Sequence, residues 1–150
     1  SSGLILGRQD LIDACAQNAC PNYGIGRAMK IDKETIAGIT RAVELFVEKD
    51  YAAQDRAWTA MSRRMAGAIE AAGRAHVRTG FPQEPGIQPV EILRVYIRPR
   101  HASAGEVHAA LLALDPQVYT GLSGEEIVLN PQCLKEEEVD RVIAAVLEAL

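Results

Sequence analysis

The chain is predicted to fold in the α+β class: a small, mainly antiparallel sheet covered by helices, with a long connecting helix ahead of it. Three observations carry this expectation. Strand-like segments come in pairs joined by short links instead of alternating strictly with helices. Residues 33–72 hold an apolar pattern at helical spacing, interrupted once. The composition is that of an ordinary globular chain, with 48% hydrophobic and 24% charged residues among 150. That length suits one domain or one large piece of a bigger protein.

The first apolar run, Leu4-Ile5-Leu6 between Gly3 and Gly7, reads as a short buried strand. Arg8 to Asn18 follows as a helix with Leu11, Ile12 and Cys15 on one face. Pro21-Asn22-Tyr23-Gly24-Ile25-Gly26 is a loop by its punctuation, and its glycines read as a flexible turn. Asp32 is a helix N-cap with Glu34 in the first turn, where the helix dipole favours a negative charge. Ile36, Ile39, Val43, Phe46 and Val47 then line one face. A bend or break is expected around Asp50 and Tyr51. The pattern resumes through Trp58, Met61, Met65, Ala68, Ile69 and Ala72, and Gly73 stops it. So 33–72 is one long helix or two nearly collinear ones.

Residues 74–79 supply a weak strand. The segment 79–89, with three prolines and two glycines, is the best linker. In 90–98, Leu93, Val95 and Ile97 alternate with Arg94, Tyr96 and Arg98, which predicts a half-buried strand with one charged face. Ser103-Ala104-Gly105-Glu106 is a capping box opening a short helix that ends before Pro116. Residues 117–120 and 126–129 read as two strands with a hairpin turn at Ser123-Gly124. Lys135-Glu136-Glu137-Glu138 opens a last helix with a stripe of Val139, Val142, Ile143, Val146 and Leu150.

Several function classes are argued against. No apolar stretch approaches the ~20 residues that span a bilayer, and no basic segment followed by an apolar one reads as a secretion signal. Three cysteines, Cys15, Cys20 and Cys133, none in a C-x-x-C, suit a reduced, cytoplasmic compartment. A net charge of −4 and 5% aromatics give little to hold or stack nucleic acid. His76, His101 and His108 are far apart, and Cys15 and Cys20 have a poor spacing for zinc, so no metal site is expected. Cys15 reads as buried packing, and no histidine is placed beside Cys20 to activate it.

Two basic groups remain. Arg27 and Lys30 lie just ahead of the helix opening at Asp32, where cations and free backbone N–H groups can cradle a phosphate or carboxylate. On spacing alone a solvated basic loop is the simpler reading of them. The second group, Arg94, Arg98 and Arg100 with His101, is either an anion site or the solvent face of a strand. Spacing alone leaves both open and names no function.

The stretch Ser2-Gly3-Leu4-Ile5-Leu6-Gly7-Arg8-Gln9-Asp10-Leu11-Ile12 resembles the segment that follows the cofactor lysine in the selenocysteine synthase-like family of fold-type I pyridoxal-phosphate enzymes. The resemblance continues through Pro21-Asn22, through Ile25-Gly26-Arg27-Ala28-Met29-Lys30 and Asp32-Lys33-Glu34, and returns at Ile127 to Leu134. Within the family the D-glucosaminate-6-phosphate ammonia-lyase branch is the nearest in pattern. Selenocysteine synthases usually carry L-D-L-R where this chain reads Leu129-Asn130-Pro131-Gln132.

The resemblance implies the C-terminal part of an aminotransferase-like enzyme: the end of the large cofactor domain (1–32), a connecting helix or helix pair (33–72) and a small C-terminal α+β domain (73–150). Pyridoxal phosphate would be the cofactor, supplying the electron sink for α-proton removal and β-elimination on an anionic, phosphorylated amino acid or amino sugar acid. Its attachment lysine would lie upstream of Ser1, leaving the fragment inactive alone, with the rest of the chain and a second subunit as partners. Arg27 matches a family position facing the substrate anion, and Lys30 replaces an arginine there, trading a bidentate fork for a point charge. A free-standing ligand-binding or interaction module and a selenium transferase acting on seryl-tRNA are the competing readings.

Overall fold

The computed structural model describes residues 3–83 and 90–150. Ser1, Ser2 and the part of the expected linker at 84–89 lie outside the described residues. The chain divides into two compact units, Ser1–Lys49 and Asp50–Leu150.

The first unit holds α1 (Gln9–Asn18), a 3-10 turn (Arg27–Met29) and α2 (Lys33–Glu48). Residues 3–8 are not a strand, contrary to expectation. A strand exists only through a ladder to a neighbour, and the one pairing described in this unit is an isolated bridge between Ala19 and Gly26. Leu4, Ile5 and Leu6 are therefore exposed, as is Leu11 on α1. Cys15 is exposed too, so it is not the buried packing thiol its helix face suggested. At α2 the expectation holds: the Thr35 backbone N–H donates to Asp32 Oδ1 at 2.6 Å. That bond holds the Asp32 carboxyl below the usual carboxylate range.

The second unit opens with α3 (Tyr51–Ala71), capped by Asp50, which accepts from the Ala53 backbone N–H at 2.8 Å. The 33–72 pattern thus forms two helices, α2 and α3, separated at Lys49-Asp50. Four strands follow: β1 (Ala75–Gly80), β2 (Arg94–Pro99), β3 (Gly121–Ser123) and β4 (Glu126–Leu129), with α4 (Ala104–Leu112) between β2 and β3 and α5 (Val139–Ala149) at the end. The sheet is antiparallel throughout, in the order β1-β2-β4-β3.

One sheet face is covered: α3 packs on β1 and β2, α4 on β4, and α5 on α3 and α4. Ala75, Val95, Ile97, Ile127 and Leu129 meet Met65, Ile69, Val107, Leu111, Val139 and Val146 in a continuous apolar core. The strand residues in that list are alternate ones, as the period of two requires. The other face carries His76, Arg78, Arg94, Tyr96, Arg98 and Val128, with the cross-strand pairs His76–Arg98 and Arg78–Tyr96.

Three boundaries differ from expectation. The strand expected over 90–98 begins at Arg94. The strand foreseen at 117–120 lies at Gly121–Ser123. The Val118 backbone N–H bonds the Leu111 carbonyl at 3.0 Å, which ties that stretch to the end of α4 and away from the sheet. The hairpin turn is then Gly124-Glu125, with Gly124 at φ +57°, a conformation that suits glycine at the first central position. The last helix opens with a separate 3-10 turn, Glu136–Glu138, before α5.

The capping box is present at α4. The Glu106 backbone N–H donates to Ser103 Oγ (3.2 Å), and the Ser103 backbone N–H donates to Glu106 Oε2 (2.8 Å). The second bond, helped by the Ser103 hydroxyl, holds the Glu106 carboxyl below its ordinary range. Its contribution is present in full above the ordinary glutamate pKa and is lost as pH falls through the lowered one. Replacing Ser103 by Ala is expected to cost about 1 kcal/mol at neutral pH, read by thermal melting. A melting temperature equal to the parent's would show that the cap does not hold the helix.

Candidate functional site

In the first unit the site is built by a close approach. A Cβ on Gly24 would stand 2.5 Å from Asn18 Cα and 2.7 Å from Asn18 O, a collision with backbone. The Gly26 backbone N–H donates to the Asn18 carbonyl at 2.9 Å. These glycines are therefore a tight seat for the loop against the end of α1, not the flexible turn expected of them.

The seat delivers Arg27 into a defined place. Its Nη1 donates to Cys20 Sγ at 2.9 Å, and its guanidinium stands over the Tyr23 ring, 5.2 Å from the centroid. Arg27 is half-buried, whereas Lys30, which follows the 3-10 turn, is exposed. No carboxylate pairs with either among the described residues, so both charges remain open to an anion. The neighbouring helix end contributes less than expected. The Asp32 carboxylate already takes the Thr35 N–H and places a negative charge there. The contact between Arg27 and Cys20 was not foreseen; the only hint is the six-residue loop that joins them.

In the second unit the sequence places Arg94, Arg98 and Arg100 on one charged strand face, and the structure separates them. Arg94 is only 8% exposed, and its Nε is buried with no hydrogen-bond partner. Arg98 is exposed, 3.6 Å from a Glu125 carboxylate oxygen. Arg100 lies just beyond β2, where its backbone N–H bonds the Arg74 carbonyl at 3.0 Å. His101 is in the exposed bend that follows.

Arg94 lines a cleft of about 650 Å³ on the uncovered sheet face, together with Arg78, Tyr96, Gln83 and Asn130. Arg98 and Arg100 do not line it. Arg78 is held there by two bonds to Glu126, the longer at 2.9 Å, and stacks on Tyr96 at 3.9 Å from the ring centroid. Glu126 keeps the Arg78 guanidinium charged more firmly than usual. The burial of Arg94 escaped the sequence because the alternation that marks its face cannot say that β2 is an inner strand.

His108 Nδ1 lies 2.8 Å from Thr120 Oγ1, a local tie between α4 and the segment after it. Among the described residues no three or more His, Cys, Asp or Glu side chains gather as metal ligands. No helix among them is long and apolar enough to cross a membrane.

No protein-family model matches the chain. Two curated proteins do, both named L-seryl-tRNA(Sec) selenium transferase. The one from Desulfovibrio desulfuricans is 26% identical over an alignment 175 positions long, and the one from Nitratidesulfovibrio vulgaris is 26% identical over one of 170. Each alignment takes in 99% of this chain and 35% of the relative, so the chain spans about a third of the length of the proteins it matches. These chain-long matches support a relation to the selenocysteine synthase-like family.

Proposed function

We propose that this chain forms the C-terminal part of a pyridoxal-phosphate-dependent enzyme of the selenocysteine synthase-like family, in the cytoplasm, acting on a small anionic amino substrate. The observation that carries the reading is the similarity to two selenium transferases along almost the whole chain. The motif around Arg27 and Lys30 agrees with it, because a seated guanidinium with no carboxylate partner suits a substrate anion.

The apolar face of α2 agrees as well. Ile36, Val43 and Val47 are exposed there. A stripe of that kind marks a surface meant for another part of the protein or a second subunit.

The four lysines, Lys30, Lys33, Lys49 and Lys135, are all exposed. None of them takes the place of the family's cofactor lysine, which the resemblance sets ahead of Ser1, so no catalytic step is assigned to these residues. Pyridoxal phosphate, when bound in the intact enzyme, supplies the electron sink for α-proton removal. The residues of this chain bind and orient the substrate anion.

The finer reading is β-elimination from a phosphorylated amino acid or amino sugar acid. Lys30 in place of an arginine favours a phosphate, which accepts a point charge, over a carboxylate, which gains most from a fork. The second reading is transfer of selenium to seryl-tRNA, favoured by the names of both relatives.

Borohydride fixation of the cofactor in the intact enzyme, followed by peptide mapping, tests the proposal. The label is expected on a lysine outside this chain. A cofactor-free protein, or a label on one of the four lysines here, would sink it. The same preparation separates the two readings: a transferase retains seryl-tRNA in a way that weakens steeply with salt, and a lyase does not retain it.

A further inference from the structure

We infer that the cleft on the uncovered face of the sheet is a binding site for a small oxyanion, a carboxylate or a phosphate, with Arg94 as its principal contact. The inference rests on the second unit alone and does not depend on the proposed reaction.

A guanidinium is among the groups most costly to take out of water without partners. Arg94 is 8% exposed, no carboxylate pairs with it among the described residues, and its buried Nε has no acceptor. Buried polar groups are nearly always satisfied, and one that is not calls for a reason such as an absent ion or ligand. The cleft beside it supplies the reason. It has room for a small molecule, and among the described residues the charged side chains that line it are Arg78 and Arg94.

The two arginines are not equivalent. Arg78 is already engaged by Glu126 on one side and by the Tyr96 ring beneath it. Its charge is largely answered, and it serves to fix the wall of the cleft. Arg94 has no such counter-charge. Its planar fork suits the paired oxygens of a carboxylate or phosphate. Asn130 lies on the same wall. Its side-chain oxygen accepts the Gln132 backbone N–H at 3.0 Å, which leaves its amide N–H groups to donate to a ligand. Gln83, which also lines the cleft, adds a further polar group.

The test uses the intact protein in phosphate-free buffer, with inorganic phosphate and then acetate as probes, read by calorimetry and by the shift in melting temperature. Phosphate, acetate or both are expected to bind and to raise the melting temperature, and which ion is preferred tells a phosphate site from a carboxylate site. Arg94→Met is expected to abolish that rise while leaving the unliganded protein as stable as the parent or more so, because an unpaired buried charge has been removed. Arg94→Lys keeps the charge and loses the fork, and is expected to weaken binding roughly tenfold or more. It also keeps the test decisive if the methionine variant fails to fold.

An equal rise in the parent and in Arg94→Lys would overturn the inference, as would no effect of either ion on the parent. A phosphate effect that survives the Arg94 variants and vanishes in Arg27→Ala would belong to the first unit and would equally overturn it. Binding of tRNA that is lost in Arg94→Met, with no response to either ion, would assign the cleft to a polynucleotide instead.

Discussion

Replacing Ile97 by Ala is expected to cost the second unit about 3 kcal/mol, the middle of the range for removing a fully buried branched side chain. Ile97 is completely buried on β2, an inner strand flanked by β1 and β4. β2 packs against α3 and α4 and between β1 and β4, so no single element can move to fill the space. The lost transfer energy and the residual cavity therefore add. For a unit of this size the loss corresponds to a fall in melting temperature of on the order of 15 °C. Trp58, the only tryptophan, packs against the same core on α3 and reports the transition by fluorescence. Leu122→Ala is the control. That side chain is 52% exposed on β3, and its truncation is expected to cost less than about 1 kcal/mol. A cost below about 1 kcal/mol at Ile97 would mean that the helices do not close over the sheet as described.

Much of the second unit was legible in the sequence because its signals are local. The alternation of Val95 and Ile97 with Tyr96 and Arg98 marks two faces of a strand whatever lies around it. The Ser103–Glu106 box and the Asp32 cap are decided within four residues, and both form. What the sequence hid depends on partners far away in the chain. Leu4-Ile5-Leu6 has the composition of a strand, but composition cannot supply the neighbouring strand that a ladder needs. Arg94 sits on an inner strand, opposite Gly80 of β1, and the alternation of its own segment cannot report that placement. Arg78 and Glu126 are 48 residues apart, and only the antiparallel pairing of β1, β2 and β4 brings them together. The candidate site shows the same division. The motif at Arg27 and Lys30 was visible, but the contact with Cys20 depends on how Gly24 and Gly26 seat the loop on α1.

Arg27→Ala in the intact enzyme is expected to raise the KM for the anionic substrate by roughly 30-fold, with little change in kcat. The magnitude follows from the proposed role: a charged hydrogen bond to a bound anion contributes about 2 kcal/mol, and each 1.4 kcal/mol or so is tenfold in affinity. An interaction equally strong in the ground state and the transition state moves KM and leaves kcat alone. Arg27→Lys should recover part of the loss, because it restores the charge without the fork. Lys30→Ala should have the smaller effect, since that side chain is exposed and its charge is screened by water. Cys20→Ala separates binding from local structure. It removes the sulfur that accepts from Arg27 Nη1 but leaves the guanidinium over Tyr23. If Arg27 acts on the substrate, the Cys20 variant should stay within about threefold of the parent. If Arg27 only braces the loop, Cys20→Ala and Arg27→Ala should both lower stability and leave KM unchanged. An unchanged KM in a folded Arg27→Ala protein removes Arg27 from the substrate site and returns it to the loop that Gly24 and Gly26 hold in place.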